Sequence, residues 1–217
     1  MYVAVAGNIG AGKSTLTRLL ADTFGLAPVF EAVEENPYLE DFYRDMRQFA
    51  FHSQMFFLGK RLEQHLEQVN PAQRVIQDRT IFEDAAIFAR NLHEERIMSE
   101  RDYLSYLQMY RAISRTLRPP DLLIYLEASL PTLRRHIDQR GRSYEADIED
   151  AYLQRLDSLY RAWIGDYDLS ELLVIPADEL DFVHSDEDRE TVLEMAERRG
   201  LTRPMVAVPK ADSLVQG

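Results

Sequence analysis

The sequence predicts an α/β fold in three layers, with a five-stranded parallel sheet flanked by helices. Three observations carry this. Short apolar runs alternate with stretches of helical periodicity, the pattern of successive strand–helix units. A glycine-rich loop ends the first apolar run and leads straight into a helical pattern. The 217 residues, 46% hydrophobic and 29% charged, suit one domain with a well-filled core.

The first strand is Tyr2–Ala6, and the helix after the glycine loop carries Leu16, Leu19, Leu20 and Phe24 on one side. A second strand is predicted over Val29–Val33, following Pro28. A long helix over Gln48–Gln68 aligns Phe51, Met55, Leu58, Leu62 and Leu66 in one stripe. Val75–Gln77 forms the third strand and ends at Asp78. A helix over Asp102–Leu117 stacks Tyr103, Tyr106, Leu107, Tyr110 and Ile113. The fourth strand, Asp121–Leu126, is entered through Pro119 and Pro120. Leu153, Leu156, Leu159 and Tyr160 mark a further helix. Leu172–Ile175 is the fifth strand, closed by Pro176, and Asp186–Arg199 the last helix. All five strands read as buried, and the helical stripes as packing surfaces. From Pro204 onward there are two prolines and no periodicity, so one domain over 1–203 and a loose tail over 204–217 are expected.

With 25 Lys+Arg against 37 Asp+Glu, the net charge is −12, which argues against nucleic acid as a partner. The chain has no cysteine, which excludes disulfides, thiolate metal sites and cysteine nucleophiles. No apolar run approaches the ~18 residues of a membrane span. The N-terminus lacks a secretory pattern, so a soluble cytoplasmic protein is expected.

Gly7-Asn8-Ile9-Gly10-Ala11-Gly12-Lys13-Ser14, followed by Thr15, fits G-x-x-x-x-G-K-S between a strand and a helix. Glycines let successive backbone N–H groups turn onto a polyphosphate, and the helix N-terminus adds partial positive charge. Lys13 is placed to reach the β- and γ-phosphates, and the Ser14 hydroxyl to ligate Mg²⁺. Of the 25 basic residues only Lys13, Lys60 and Lys210 are lysines, and one of them stands here. A nucleoside triphosphate with Mg²⁺ is implied, in a P-loop nucleoside-triphosphate fold.

A signalling GTPase needs a guanine-reading Asn-Lys-x-Asp, and no Asn-Lys pair occurs. A motor or helicase core is usually larger. A small kinase remains, which needs a base, an acceptor pocket and cations around the transferred phosphoryl. Glu31 lies in an apolar run whose C-terminal end should face the loop, where a carboxylate is uncommon without a task. Asp78-Arg79 ends the third strand at the same edge: the carboxylate can serve Mg²⁺ through water, and the guanidinium can clamp phosphate. Arg140-Gly141-Arg142 has the character of a cationic lid.

Together these pieces resemble the deoxynucleoside kinase family over essentially all of residues 1–185. The resemblance implies that Glu31 is the base for the sugar 5′-hydroxyl and that Asp78-Arg79-Thr80 is the family's acidic-Arg-Ser/Thr triplet. Arg79 then touches the 5′-oxygen and phosphates, and Asp78 is a magnesium-side carboxylate or a rival base. Arg140 and Arg142 match the lid arginines. Tyr43 and Glu145 match the pair that grips the 3′-hydroxyl. Gln54, eleven residues after Tyr43, matches the base-reading amide. Arg61 and Asp84 match a base-discriminating pair expected to meet across the pocket, and Phe88 the ring stacked on the base. Asp181 and Phe182 resemble the loop that touches the donor's base. His136 departs from the family, being often Arg there, and reads by itself as a surface or capping residue. A homodimer through two helices, one of them Asp102–Leu117, is also implied.

The resulting expectation is ATP-dependent phosphorylation of a deoxynucleoside 5′-hydroxyl, with deoxyadenosine favoured and deoxycytidine next. A deoxyguanosine kinase of the same family, a nucleoside monophosphate kinase and a non-catalytic nucleotide-binding regulator are the alternatives.

Overall fold

The computed structural model describes residues 1–142, 145 and 148–204. Five strands run parallel in the order β2 (Ala27–Val29), β3 (Val75–Asp78), β1 (Tyr2–Gly7), β4 (Leu122–Glu127) and β5 (Glu171–Pro176). β1 is central and buried along its whole length, so it reads as an unbroken apolar run. Its register pairs Val5 with Asp78 on one side and with Ile124 on the other. Because every strand points the same way, the loops after them collect at one edge. That edge is where ligands bind in open parallel sheets.

The helices are α1 (Lys13–Phe24), α2 (Leu39–Arg44), α3 (Met46–Gln64), α4 (Ile81–Glu83), α5 (Arg90–Glu94), α6 (Glu100–Ser114), α7 (Leu130–Arg140), α8 (Asp150–Gly165) and α9 (Asp186–Glu197). α1 packs on β1, β2 and β3, and α9 on β5. A second cluster centred on Leu58, Ile81, Ala85 and Tyr106 joins α3, α6 and the chain between α4 and α5. Leu58 and Ile81 each contribute roughly 1.5–3 kcal/mol on full burial. Among the described residues, no helix is long and apolar enough to cross a membrane.

Several elements differ from the sequence expectation. The second strand is Ala27–Val29 rather than Val29–Val33. Its only neighbour is β3, which ends at Asp78, so beyond Val29 there is no ladder left to join. The chain turns instead through a 3₁₀ turn at Val33–Glu35, leaving Glu31 just past the strand. Pro28 lies inside β2, as an edge strand tolerates. The two edge strands, β2 and β5, are partly exposed rather than buried, because each has one neighbour only. β4 is shifted by one residue, since Asp121 is occupied in accepting the Tyr2 backbone N–H at 2.6 Å.

The long helix begins at Met46, capped by Asp45, and passes after Gln64 into a π-helical turn, His65–Val69. Its expected apolar stripe packs in the second cluster, with Leu58 buried and Phe51, Met55 and Leu62 against it. The stripe stops short of Leu66, and a second, polar face also turns inward. Leu66 is 48% exposed, whereas Ser53, Gln54, Arg61 and Gln64 are buried together with Ala50 and Leu58. This face closes over a polar cavity, so side-chain pairing rather than hydrophobicity decides what turns inward. The next helix is Glu100–Ser114, capped by Ser99, in place of Asp102–Leu117. The last is Asp186–Glu197. Two helical stretches, α2 and the run from α4 through a π-helical segment (Asp84–Ala89) to α5, are additions. The tail expected over 204–217 lies, after Pro204, outside the described residues.

Candidate active site

The glycine loop joins β1 to α1 at the carboxyl edge of the sheet. Gly10 has φ +83°, and a Cβ there would stand 2.7 Å from the Leu133 carbonyl oxygen of α7. Glycine is therefore required at this point by the close approach of the lid helix. Gly12, the N-cap of α1, is also left-handed, with Phe182 packed across it. Asn8 shapes the loop from within: its Oδ1 accepts the Ile9 N–H at 2.8 Å, and its Nδ2 donates to the Leu153 carbonyl at 2.9 Å. Lys13 is buried and its Nζ donates to the Asn8 carbonyl at 2.9 Å. Burial, with the Arg79 charge adding to it, pushes the Lys13 ammonium down to about 8, against the pull of Asp78 and Glu31.

The Ser14 hydroxyl donates to Asp78 Oδ2 at 2.5 Å. Asp78 Oδ1 is buried and has no hydrogen-bond partner among the described residues. Burial pushes the Asp78 carboxyl up, and Lys13 opposes this. A hydroxyl beside an oxygen with free acceptor capacity is a donor set that suits Mg²⁺, a hard cation taking oxygen ligands and water. The residues present fit that ion.

Beside the loop lies a cluster of alternating charges. Arg61 Nη2 donates to Glu31 Oε1 at 2.7 Å, and Arg61 Nε stands 2.9 Å from Asp84 Oδ2. Arg79 Nε bonds the same Glu31 carboxylate at 3.0 Å. Glu31 is thus not a lone carboxylate, as the sequence suggests, but the meeting point of two guanidiniums. Burial pushes its carboxyl up, but Arg79 and Arg61 outweigh this and hold it at about 2. Burial pushes Asp84 up to about 7, against Arg61. The π-helical segment widens the turn and keeps Asp84 and Phe88, four residues apart, on the cavity side. The Phe88 ring lies under Arg79, 4.5 Å from its guanidinium carbon, and the Phe57 ring under Arg61 at 5.0 Å.

Both regions open into one cavity of about 1040 Å³. Gly10, Gly12, Lys13, Ser14 and Thr15 line one end, with Ile9 and Ala11 beside them. Glu31, Tyr43, Gln54, Arg61, Asp84 and Phe88 line the other. Gln54 is buried, and its Oε1 has no partner among the described residues, so an acceptor waits on the cavity wall. Arg79, Arg140, Arg142, Glu145, Asp181 and Phe182 also face this space. Gly7, Asn8 and Asp78 do not line it and stand behind its wall.

The lid arginines are held together. Arg140 donates from Nε and Nη2 to Glu145 at 3.0 and 2.7 Å, and Arg142 Nη1 lies 3.6 Å from the same carboxylate. Asp181 turns its carboxylate onto the Val183 and His184 N–H groups, while Phe182 is buried against the loop. Of the surface and capping roles expected for His136, the structure shows the second: half-buried at the cavity, it meets the Gly10 carbonyl oxygen with Nδ1 at 2.8 Å. Sequence reasoning also missed Glu83 and Tyr160, both fully buried beside Arg79. Thr80-x-x-Glu83, the pattern of a capping box, was the signal for Glu83. Tyr160 left no local signal.

A parallel sheet with a phosphate loop, an arginine lid and an acceptor pocket on one edge defines a nucleotide-dependent phosphotransferase. The deoxynucleoside kinase family model matches residues 3–199. The chain is 34% identical over 194 residues to the deoxyadenosine/deoxycytidine kinase of Bacillus subtilis, covering 88% of this chain and 89% of that protein. It is 37% identical to the deoxyguanosine kinase of the same organism, covering 88% and 93%. The structure of deoxyadenosine kinase from M. mycoides with products dCMP and a flexible dCDP bound superposes with a TM-score of 0.81 at 31% identity, covering 91% of this chain and 100% of that one. The chain belongs to the deoxynucleoside kinase family, and its reaction is the ATP-dependent phosphorylation of a deoxynucleoside to its 5′-monophosphate.

Proposed function

We propose that the acceptor is deoxyadenosine first and deoxycytidine next, with deoxyguanosine the close alternative and thymidine poor. The observation that carries this is the buried Arg61–Asp84 pair at 2.9 Å on the wall that Gln54 shares. An adenine or cytosine amino group can donate to Asp84, whereas the pair fills the space a thymine methyl needs. Gln54 offers both a donor and an acceptor to the base edge. Phe88 flanks the base, and Tyr43 with Glu145 takes the 3′-hydroxyl. Relatives carrying both deoxyadenosine/deoxycytidine and deoxyguanosine kinase names keep the guanine reading in play. ADP formation measured with each deoxynucleoside against a no-acceptor blank tests this order. Efficient thymidine turnover would overturn it.

In this reading Glu31 receives the 5′-hydroxyl proton. A loose transition state asks little basicity of that carboxylate early on, so its aim counts for more than its strength. Arg79 bridges the attacking oxygen and the phosphoryl group, and Lys13, Arg140 and Arg142 balance charge on the phosphates. The part of the loop that lines the cavity, Gly10 to Thr15, cradles the donor phosphates, with Gly7 and Asn8 shaping it from behind. Asp181 and Phe182 border the donor's base. Ser14 and Asp78 are the residues that would hold Mg²⁺, which would supply positive charge to the phosphates when bound. Arg140 and Arg142 reach the phosphates by exchanging Glu145 for them when the donor binds.

We read residues 1–203 as one domain, working in the cytoplasm as a homodimer. The outer face of α6 supports the dimer: Leu104 is 54% and Met109 48% exposed, and Tyr106 is its only fully buried residue.

A further inference from the structure

Two fully buried polar side chains stand beside Arg79 without a part in the chemistry above. Glu83 Oε1 accepts the Thr80 backbone N–H at 2.9 Å, and its Oε2 accepts the Tyr160 hydroxyl at 2.7 Å. The same Oε2 faces the Gly7 backbone N–H at 3.4 Å, where β1 enters the phosphate loop. It also lies 3.6 Å from Arg79 Nη1. Tyr160 reaches in from α8, and its oxygen accepts from Arg79 Nη1 at 2.8 Å. A phenol has one proton to give. With that proton on Glu83, the Tyr160 lone pairs are turned to Arg79, so the chain of bonds has a single polarity.

Arg79 needs such support. Its backbone sits at φ 64°, in the left-handed region that residues other than glycine rarely enter. Such a conformation persists where its surroundings over-determine it. Nε is committed to Glu31 and the guanidinium rests on Phe88, which leaves Nη1 to set its rotation. Nη1 is the atom Tyr160 holds.

We infer that Glu83 and Tyr160 are positioning residues for phosphoryl transfer, aiming the Arg79 guanidinium and tying it to the entrance of the phosphate-binding loop. This rests on the reading of Arg79 as the group that touches the 5′-oxygen and phosphates. A purely structural pair would support folding and leave turnover per folded molecule unchanged.

Tyr160→Phe separates the two roles. It keeps the ring that stacks on Tyr125 at 5.7 Å and removes only the hydroxyl. Steady-state kinetics of the full chain with ATP and its best nucleoside, normalised to folded protein by circular dichroism, should show kcat down about 10- to 100-fold, with both KM values within about threefold. Glu83→Gln should show the same split, and Glu83→Ala a larger one. Should the Glu83 variants not fold, Tyr160→Phe decides. A kcat within twofold of the parent, or a loss that only tracks the folded fraction, overturns the inference. Arg79→Met tells the two failures apart. If it turns over normally, the reading of Arg79 falls as well; if it is inactive while Tyr160→Phe is not, only the positioning role falls.

Discussion

His136 Nδ1 meets the Gly10 carbonyl oxygen at 2.8 Å, so the helix that carries Arg140 is fastened to the phosphate loop. The Leu133 carbonyl and the Ile137 side chain also lie close against Gly10, leaving no room for a Cβ there. Donor site and lid are therefore one mechanical piece. Removing the imidazole in His136→Ala forfeits one hydrogen bond, worth roughly 0.5–1.5 kcal/mol. The KM for ATP should rise about 2- to 12-fold on that energy, with the nucleoside KM unmoved. Equal ATP affinity in the variant, measured by initial rates, would show that the contact does not reach the donor.

Glu31 and Asp78 compete for the role of base, and paired substitutions decide between them. Glu31→Gln keeps size and one acceptor but cannot take the proton, so kcat should fall roughly 10²–10⁴-fold. It also leaves Arg61 and Arg79 short of a carboxylate, so a lower melting temperature is expected, breaking a buried pair costing about 3–5 kcal/mol. If Asp78→Asn abolishes turnover and Glu31→Gln retains it, the base is Asp78.

Arg61 and Asp84 should govern the choice of base. Arg61→Met with Asp84→Ala widens the pocket and should admit thymidine. The same change should cost the natural substrate about 1–3 kcal/mol of kcat/KM. Because Arg61 also bonds Glu31, its removal should reduce kcat with every nucleoside, including the new one. A double variant with unchanged thymidine activity would remove the pair from base selection.

The choice of base should also depend on pH. Asp84 is pushed up to about 7 by burial. Above that value it is a carboxylate, which accepts from an amino group; below it the protonated acid donates, which suits a carbonyl edge. Lowering the pH from about 8 to 6 should therefore reduce kcat/KM for deoxyadenosine more than for deoxyguanosine. Glu31, held at about 2, stays ionised throughout this range and adds nothing to the difference. Parallel pH profiles for the two substrates would show that Asp84 does not titrate there. For stability the signs oppose each other. A carboxyl with a raised folded pKa loses stabilisation as pH climbs from about 4 to 7, whereas Glu31 loses its contribution as pH falls from about 4.5 to 2.

The sequence by itself determined what local chemistry dictates. The loop from Gly7 to Ser14 is contiguous, so its glycines, Lys13 and Ser14 show together which ligand it takes. The central strands β1, β3 and β4 were legible because burial on both faces leaves mostly apolar runs, with the buried Gln77 and Asp78 of β3 as polar exceptions. The edges were not: β2 stops where its neighbour stops, and nothing within Val29–Val33 encodes where that is. The polar inner face of α3 was hidden for a related reason, since Gln54 turns to the cavity and Arg61 to Glu31 and Asp84, all outside their own helix. Glu31, Arg61, Arg79, Glu83, Asp84 and Tyr160 lie on separate stretches of the chain, and only the fold brings these groups within 4 Å of their partners. Of these contacts the Arg61–Asp84 meeting was expected, from the family resemblance. The bonds of Glu31, Glu83 and Tyr160 depend on distance across the fold, which local sequence order does not encode.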